Sequence, residues 1–369
     1  MIPVNEPLLN GNEKKYINEC IDTNWISSEG PFVKRFENEM ANFVGRNYAT
    51  ACTSGTAALD IAVSVLNLQK GDEVIMPSFT IISCAQVLVN KGIKPVLLDS
   101  DLQTFNVNVS DIEAKVSKKT KAIMIVHIFG LTVDIDPILE LAKKYNLKII
   151  EDAAQMIGQV YKGMQCGSFG DVSIFSFYPN KQITTGEGGM VLCDDKLLDE
   201  RAKNFRNLCF GTDRFIHEEL GCNYRMTNMQ AAIGVAQLEK IDKIVQRKRE
   251  IGKLYNELLE DIKVIYLPKI KTAYCENIYW VYPIMLKDDY LKTAKEVMQE
   301  LEKYKIGTRP FFYPMHKQPV FNKMGLFLND DLPNSENLYK KGFYIPSGLA
   351  LSNAQIIEVS EALHKVLRE

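Results

Sequence analysis

Residues 147–155 read Leu-Lys-Ile-Ile-Glu-Asp-Ala-Ala-Gln. The apolar run that ends at Asp152 is typical of a buried strand in a parallel sheet, because such strands are covered on both faces. Ligands of parallel sheets gather at the carboxyl ends of the strands, so Asp152 is a candidate functional acid. Gln155 lies three residues beyond it and offers a side-chain amide for hydrogen bonding.

Apolar runs of strand length alternate with helical patterns along the chain, which predicts right-handed crossovers onto a mostly parallel sheet. A long helical pattern then extends from Met229 to Leu259, and a further strand is predicted at 278–284. The other predicted strands cover residues 74–76, 95–98, 122–126 and 190–192.

A lysine lies in the stretch from Ser176 to Gly189, which reads Ser-Phe-Tyr-Pro-Asn-Lys-Gln-Ile-Thr-Thr-Gly-Glu-Gly-Gly. Lys181 comes just after an aromatic strand and before a glycine cluster that lets the backbone approach a ligand closely. An amine that forms a Schiff base is expected in such a place. If the partner is pyridoxal phosphate, an acid must keep its pyridine nitrogen protonated, and Asp152 is the candidate.

A phosphate cradle is predicted at residues 53–56, Thr-Ser-Gly-Thr, between a strand-like run and a helical pattern. Backbone N–H groups at the start of a helix bind anions, and the helix dipole supports them. Taken singly, Ser-Gly-Thr is more often a helix cap, and an acid at a strand end is often a turn residue. The order cradle, acid, lysine nevertheless indicates a pyridoxal-phosphate enzyme.

These stretches resemble the DegT/DnrJ/EryC1/StrS family of pyridoxal-phosphate aminotransferases, which act on nucleotide-linked keto-sugars, and they are most similar to its perosamine synthase branch. The resemblance implies fold type I, as in aspartate aminotransferase: an α/β large domain with a mostly parallel sheet, followed by a smaller α/β domain. Other matching stretches are residues 24–28, 71–78, 126–130, 167–171, 223–228 and 309–316.

The resemblance also implies roles for single residues. Lys181 and Asp152 are the catalytic pair, Gln155 lies near the ring hydroxyl, and Asn223 reaches the phosphate from the other subunit of a homodimer. Phosphate contacts are implied for Gly55, Thr56 and Ser176, and pocket-lining positions for Trp25 and His127.

The chain departs from the family pattern at two places. An aromatic residue usually packs on the cofactor ring where this chain has Ile81, so either Phe79 stacks on the ring or Ile81 forms an aliphatic lid. The segment 210–222 contains no tryptophan, whereas perosamine-type relatives carry aromatic residues there. The hexose contact is therefore altered, or the acceptor is a smaller phosphorylated ketone.

The resemblance implies amino transfer from L-glutamate to a nucleotide-linked keto-sugar such as GDP-4-keto-6-deoxymannose. Lys181 would act as tether and as general base. Lysine at this position favours transamination, because a dehydratase branch of the family carries histidine there. The alternatives are a smaller phosphorylated ketone as acceptor and a pyridoxal-phosphate lyase or decarboxylase on the same scaffold. A regulatory or structural protein without catalysis is a further alternative, which the lysine, acid and cradle disfavour.

Several other polar residues have a functional and a structural interpretation. Arg309 and His316 could bind a phosphate or diphosphate of the substrate. Alternatively, they belong to a loop that fixes domain closure. His127 either lies under the cofactor or is a satisfied core histidine. We interpret Lys243, Lys248 and Arg249 as a solvated helix face.

Composition sets broad limits. The 369 residues exceed what one core usually supports, which predicts a large cofactor-binding domain with an N-terminal arm at 1–246 and a smaller C-terminal domain at 247–369. A net charge of −2 gives no general field for nucleic acid or an anionic membrane. Eight cysteines without C-x-x-C spacing, and a start without a signal-like segment, favour a reduced cytoplasm and no metal.

Overall fold

A seven-stranded sheet forms the centre of the first two thirds of the chain, in the order β1-β9-β8-β5-β4-β2-β3. Neighbouring strands are parallel except for those that pair with β9. The strands are β1 (Tyr48–Cys52), β2 (Glu73–Pro77), β3 (Lys94–Leu98), β4 (Thr120–Val126), β5 (Lys148–Asp152), the separate hairpin β6 (Val160–Tyr161) and β7 (Met164–Gln165), β8 (Val172–Ser176) and β9 (Gly189–Cys193). This computed structural model describes residues 1–211, 213 and 215–368, without the side chain of Arg368.

Helices cover both faces of this sheet. Along β4, Met124 faces a core shared with α3 and α4, while Ile123 and Ile125 face a second core with α5. Apolar residues on both faces explain why the strands read as continuous apolar runs. The helices of this part are α1 (Glu13–Asp22), α2 (Pro31–Val44), α3 (Gly55–Val65), α4 (Ile82–Asn90), α5 (Ile135–Tyr145), α6 (Lys196–Arg206) and α7 (Asn228–Leu238).

A second sheet of four antiparallel strands lies in the last third of the chain, in the order β10-β11-β13-β12. Its strands are β10 (Ile265–Tyr266), β11 (Tyr282–Leu286), β12 (Arg309–Pro310) and β13 (Gly342–Ile345). The strand predicted at 278–284 therefore begins later, at Tyr282. The helices are α8 (Ile241–Leu259), α9 (Ala294–Lys303), α10 (Pro319–Lys323), α11 (Pro333–Lys341) and α12 (Asn353–Arg368).

Helix α8 connects the two sheets. The helical pattern from Met229 to Leu259 is two helices, α7 and α8, rather than one. The first half of α8 packs Ile244 and Val245 into a core with α7, and the second half packs Ile251 and Tyr255 beside the second sheet. The predicted domain boundary at 246/247 falls within α8 and stays a prediction. Among the described helices, none has the length and apolar character needed to cross a membrane.

The interpretation of Lys248 as a surface residue is wrong. Lys248 is only 3% exposed, and its Nζ donates a hydrogen bond of 2.5 Å to the carbonyl oxygen of Ser347. The chain that follows β13 covers this face of α8, which a helical pattern alone does not reveal.

Candidate active site

A cavity of about 460 Å³ lies at the carboxyl ends of β1, β5 and β8, and residues near the second sheet close it on the other side. This is the edge at which ligands of parallel sheets are expected. Predicted site residues that line it are Gly55, Thr56, Asp152, Gln155, Ser176, Lys181 and Arg309. The remaining lining residues include Ser54, Ile81, Ser83, Tyr178, Asn180, Trp280 and Tyr344.

Lys181 lies in the loop between β8 and β9. Its ammonium nitrogen is 4.0 Å from the centroid of the Trp280 ring, a cation–π contact. Burial lowers the pKa of Lys181 to about 8, although the negative charge of Asp152 favours its protonated form. The amine is therefore much closer to neutrality at physiological pH than an ordinary lysine.

Asp152 is the last residue of β5, and its side chain is almost fully buried. Burial raises the pKa of this carboxyl, whereas the Ala154 N–H, the Cys84 thiol and the charge of Lys181 act in the opposite direction. The N–H of Ala154 donates to Oδ1 at 3.0 Å, and the thiol of Cys84 donates to Oδ2 at 3.3 Å. The acid is thus held in a fixed orientation at the cavity wall.

The predicted phosphate cradle is the amino end of α3. Ser54 caps the helix, and its hydroxyl oxygen accepts a hydrogen bond from the Ala57 N–H at 3.1 Å. The first N–H groups of a helix have no intrahelical partner, so they can bind an anion. A Cβ atom added to Gly55 would lie 2.8 Å from the Cβ of Ser176. Only glycine at this position keeps the space between the helix end and β8 open.

This arrangement fits pyridoxal phosphate. The cofactor carries a dianionic phosphate, a pyridine nitrogen that needs an acid and an aldehyde that needs an amine. The cavity offers a helix amino terminus with a glycine-sized gap, the buried carboxylate of Asp152 and the amine of Lys181. Gln155 also lines the cavity, and its side-chain oxygen accepts a hydrogen bond of 2.7 Å from the Phe129 N–H.

Phe79 does not line this cavity. It is fully buried among Phe129, Phe311 and Phe312, with ring centroids 5.7–5.9 Å away. Ile81 is 45% exposed and lines the cavity, so of the two alternatives Ile81 is the residue at the cavity wall. Edge-to-face packing of Phe79 with its aromatic neighbours explains its inward position.

Both predicted histidines lie in the core rather than at the cavity. His127 is fully buried; its Nε2 is 3.2 Å from Glu151, and its Nδ1 accepts the Val133 N–H at 3.0 Å. His316 is 2% exposed and bonds Ser78 and Glu336 at 2.8 and 3.3 Å. The pairing of Arg309 with His316 is therefore not formed at the cavity, which Arg309 reaches alone.

Trp25 and Asn223 lie away from the cavity of their own chain. Trp25 is 48% exposed, and Asn223 is exposed with its side-chain oxygen accepting a hydrogen bond of 2.9 Å from Arg225. Asn223 follows the segment 210–222, in which the structure describes all residues except Thr212 and Arg214.

Several cavity residues escaped the sequence analysis. Trp280 lay within a segment assigned only as a strand, yet its indole N–H donates to the Asn180 carbonyl at 2.7 Å and its ring contacts Lys181. Ser83 and Tyr344 also line the cavity, and Cys84 bonds Asp152 directly behind its wall. No local motif marks these residues, because the fold brings them to the site from distant parts of the chain.

Comparisons with known proteins agree with this site. The chain is 41% identical over 365 residues to the GDP-perosamine synthase of Escherichia coli O157:H7, covering 99% of this chain and 98% of the relative. It is 39% identical to the GDP-perosamine synthase of Vibrio cholerae, with 98% of both chains covered. The solved structure of an aminotransferase from Psychrobacter cryohalolentis superposes with a TM-score of 0.92 at 27% identity, covering 99% of both chains.

Residues 7–364 match the DegT/DnrJ/EryC1/StrS aminotransferase family. The match spans both sheets and every residue that lines the cavity. The chain therefore belongs to this family of aminotransferases, whose cofactor is pyridoxal phosphate.

Proposed function

We propose that this enzyme transfers the amino group of L-glutamate to the keto carbon of a nucleotide-linked sugar of the GDP-4-keto-6-deoxymannose type. Lys181, Asp152 and the amino end of α3 line one cavity, and this is the observation that carries the proposal. The acceptor is inferred from relatives named GDP-perosamine synthase, which are 39–41% identical over nearly the whole chain.

The roles of the cofactor-holding residues follow from where they lie. The amino end of α3, with Gly55, Thr56 and Ser176, would hold the phosphate through N–H and hydroxyl donors. Asp152 would keep the ring nitrogen protonated, because a nearby negative charge favours the cationic form of that nitrogen. Bound pyridoxal phosphate supplies an electron sink that stabilises negative charge on the carbon next to the amine.

Lys181 would act as tether and as proton carrier. Burial lowers the pKa of its amine and so favours the neutral form. This suits an amine that must alternately accept and return a proton at the reacting carbon. The Trp280 ring, 4.0 Å away, fixes the direction of the side chain. Tyr178 and Arg309 line the same cavity as Lys181.

Arg309 would bind an anionic group of a substrate. It belongs to β12 of the second sheet, it is exposed, and it lines the cavity. Its planar fork of donors suits a carboxylate or a diphosphate. The two histidines would support the fold instead, since their ring nitrogens bond core residues.

We also propose that the enzyme is a cytoplasmic homodimer with shared sites. In the described chain all eight cysteines are free, which suits a reducing compartment. Asn223 is exposed and outside its own cavity, which leaves it available to reach the phosphate in the partner subunit.

The proposal is tested by supplying the enzyme and pyridoxal phosphate with L-glutamate and GDP-4-keto-6-deoxymannose. We expect 2-oxoglutarate and an aminated GDP-sugar to form in equal amounts, as measured by mass spectrometry. Dihydroxyacetone phosphate in place of the GDP-sugar tests the smaller acceptor, and release of carbon dioxide from glutamate tests a decarboxylase.

Lys181→Ala is the matched control, and it should form neither product while keeping the thermal unfolding temperature of the wild type. Amino transfer by this variant at the wild-type rate would refute the role of Lys181. Amination of the small ketone alone would refute the nucleotide-sugar assignment and leave the aminotransferase intact.

A further inference from the structure

The first turn of α4 contacts two separate parts of the candidate site. It begins directly after Ile81, whose side chain lines the cavity. Ser83 shares a hydrogen bond of 2.8 Å with the hydroxyl of Thr56, at the phosphate cradle. The next residue, Cys84, donates its thiol proton to Asp152 at 3.3 Å. Two neighbouring side chains on one helical turn thus reach the cradle and the acid.

Cys84 is suited to remain a donor. It is fully buried, and burial together with the charge of Asp152 holds the pKa of its thiol well above the usual range. The Thr80 hydroxyl lies 3.7 Å from the sulfur and fixes the other side of the thiol. The thiol therefore favours its protonated form, in which it donates to the carboxylate of Asp152.

The contact determines how the carboxylate is oriented. The Ala154 N–H donates to Oδ1 and the Cys84 thiol donates to Oδ2, so each oxygen has one donor from the protein. A carboxylate accepts up to about four hydrogen bonds, so Asp152, which lines the cavity, can accept further bonds from a ligand. A rotated carboxylate would offer its lone pairs in the wrong direction to a ring nitrogen.

Ser83 makes the corresponding contact at the phosphate cradle, where it bonds Thr56. It lines the cavity, and its hydrogen bond to Thr56 fixes the rotamer of a hydroxyl at the start of α3. A hydroxyl has one proton to donate, and the Ser83 contact decides where the Thr56 proton points.

We propose that the first turn of α4 positions both polar ends of the cofactor: Cys84 orients Asp152 toward the ring nitrogen, and Ser83 orients Thr56 toward the phosphate. This inference rests on the proposed function, which assigns those two contacts to Asp152 and Thr56. Cys84 and Ser83 are positioning residues, because they act through another side chain or complete its hydrogen bonds.

The test measures binding to the cofactor-free protein by tryptophan fluorescence, since Trp280 lies at the cavity. Three probes are compared: pyridoxamine phosphate, its analogue with carbon in place of the ring nitrogen, and pyridoxamine without phosphate. None of them needs a covalent bond to Lys181. Two of the probes each lack one polar group, so comparing affinities separates the contact to the ring nitrogen from the contact to the phosphate. The variants Cys84→Ala and Ser83→Ala serve as each other's control.

Cys84→Ala should weaken binding of pyridoxamine phosphate about tenfold and leave the analogue without the ring nitrogen unchanged, because a hydrogen bond to a charged group is lost. Cys84→Ser keeps a donor and should restore the affinity. Ser83→Ala should weaken pyridoxamine phosphate by about fivefold and leave pyridoxamine unchanged, because a neutral hydrogen bond is lost.

Equal weakening of all three probes would show a general loosening of the site and would overturn the proposal, as would unchanged binding of all three. Asp152→Ala separates this inference from the function on which it rests. If that variant loses selectivity for the ring nitrogen and Cys84→Ala does not, the role of Cys84 is refuted alone. If Asp152→Ala also keeps the selectivity, the assignment of Asp152 fails, and the role of Cys84 fails with it.

Discussion

At the scale of single residues, burial and two neighbours, Asp152 and Trp280, set the reactivity of Lys181. Burial favours the neutral amine, the charge of Asp152 favours the ammonium, and burial prevails, because the pKa falls from 10.5 to about 8. The Trp280 ring contributes a cation–π contact that holds the charged form near the cavity. The amine is therefore poised between the two protonation states that a proton carrier must adopt.

This pKa predicts how capture of the cofactor depends on pH. Only the neutral amine attacks an aldehyde, so the rate constant for capture of pyridoxal phosphate by the cofactor-free enzyme should rise about tenfold per pH unit below pH 8. It should level off above that pH, where the amine is already neutral. Stopped-flow absorbance of the bound cofactor measures the rate.

Asp152→Asn is the control for this profile. It removes the charge that stabilises the ammonium, so the midpoint should move to lower pH than in the wild type. A wild-type midpoint near the ordinary lysine value of 10.5 would contradict the argument from burial.

At the scale of elements, α8 connects the two sheets and carries a buried lysine at the point where it passes from the first core to the second. Lys248 lies between Val245, in the core with α7, and Ile251, in the core beside the second sheet. Burial, helped by the neighbouring charge of Arg247, lowers the pKa of Lys248 to about 7. The folded protein thus holds this side chain neutral over a range in which the unfolded chain protonates it.

This difference predicts a stability that rises with pH. Between about pH 7 and the ordinary value of 10.5, the unfolded state binds the extra proton, so the free energy of unfolding increases with pH. One such group contributes at most about 1.4 kcal/mol per pH unit, or roughly 2–3 kcal/mol from pH 7.5 to 9.5. The stabilisation is lost as the pH falls toward the folded pKa.

Lys248→Met provides the comparison, because methionine fills a similar volume without titrating. Urea unfolding at several pH values should give a shallower rise for the variant than for the wild type. Parallel curves for the two proteins would show that Lys248 is charged when folded and would refute its low pKa.

At the scale of the whole molecule, the site forms where two sheets meet. Thr56, Asp152 and Lys181 come from the part around the seven-stranded sheet, whereas Trp280, Arg309 and Tyr344 come from the part around the second sheet. The cavity therefore depends on how the last third of the chain packs against the rest. If Asn223 contributes as proposed, each cavity would also depend on a residue from a second subunit.

Shared sites predict that two inactive variants complement each other. A mixed dimer of Lys181→Ala and Asn223→Ala contains one site with both residues intact, because each subunit supplies what the other lacks. Half of randomly exchanged dimers are mixed and one of their two sites works, so about a quarter of wild-type activity should return. Initial rates before and after mixing measure it.

Sedimentation of the wild type should show a dimer, and a mixture of Lys181→Ala with Asp152→Ala should stay inactive, because both residues line the same cavity of one chain. Absence of recovery in the first mixture, with subunit exchange verified, would refute the role of Asn223 across the interface.

The sequence by itself determined the parallel sheet and the order of the chemical groups. Runs such as residues 147–152 present apolar residues to both faces because helices cover both. Asp152 ends one strand, and Ser54 and Lys181 follow two others whose carboxyl ends lie at the same edge. Local patterns are enough for this, since strand direction fixes where those ends lie.

Only the tertiary structure decided which other side chains reach the cavity. Phe79 and Ile81 are two residues apart, yet packing against distant phenylalanines turns the first inward and leaves the second at the wall. His316 bonds Ser78, which lies 238 residues earlier in the chain. Lys248 is covered by the chain after β13, and Cys84 bonds Asp152 across 68 residues. Such contacts arise from packing between segments far apart in sequence, so no local pattern predicts them.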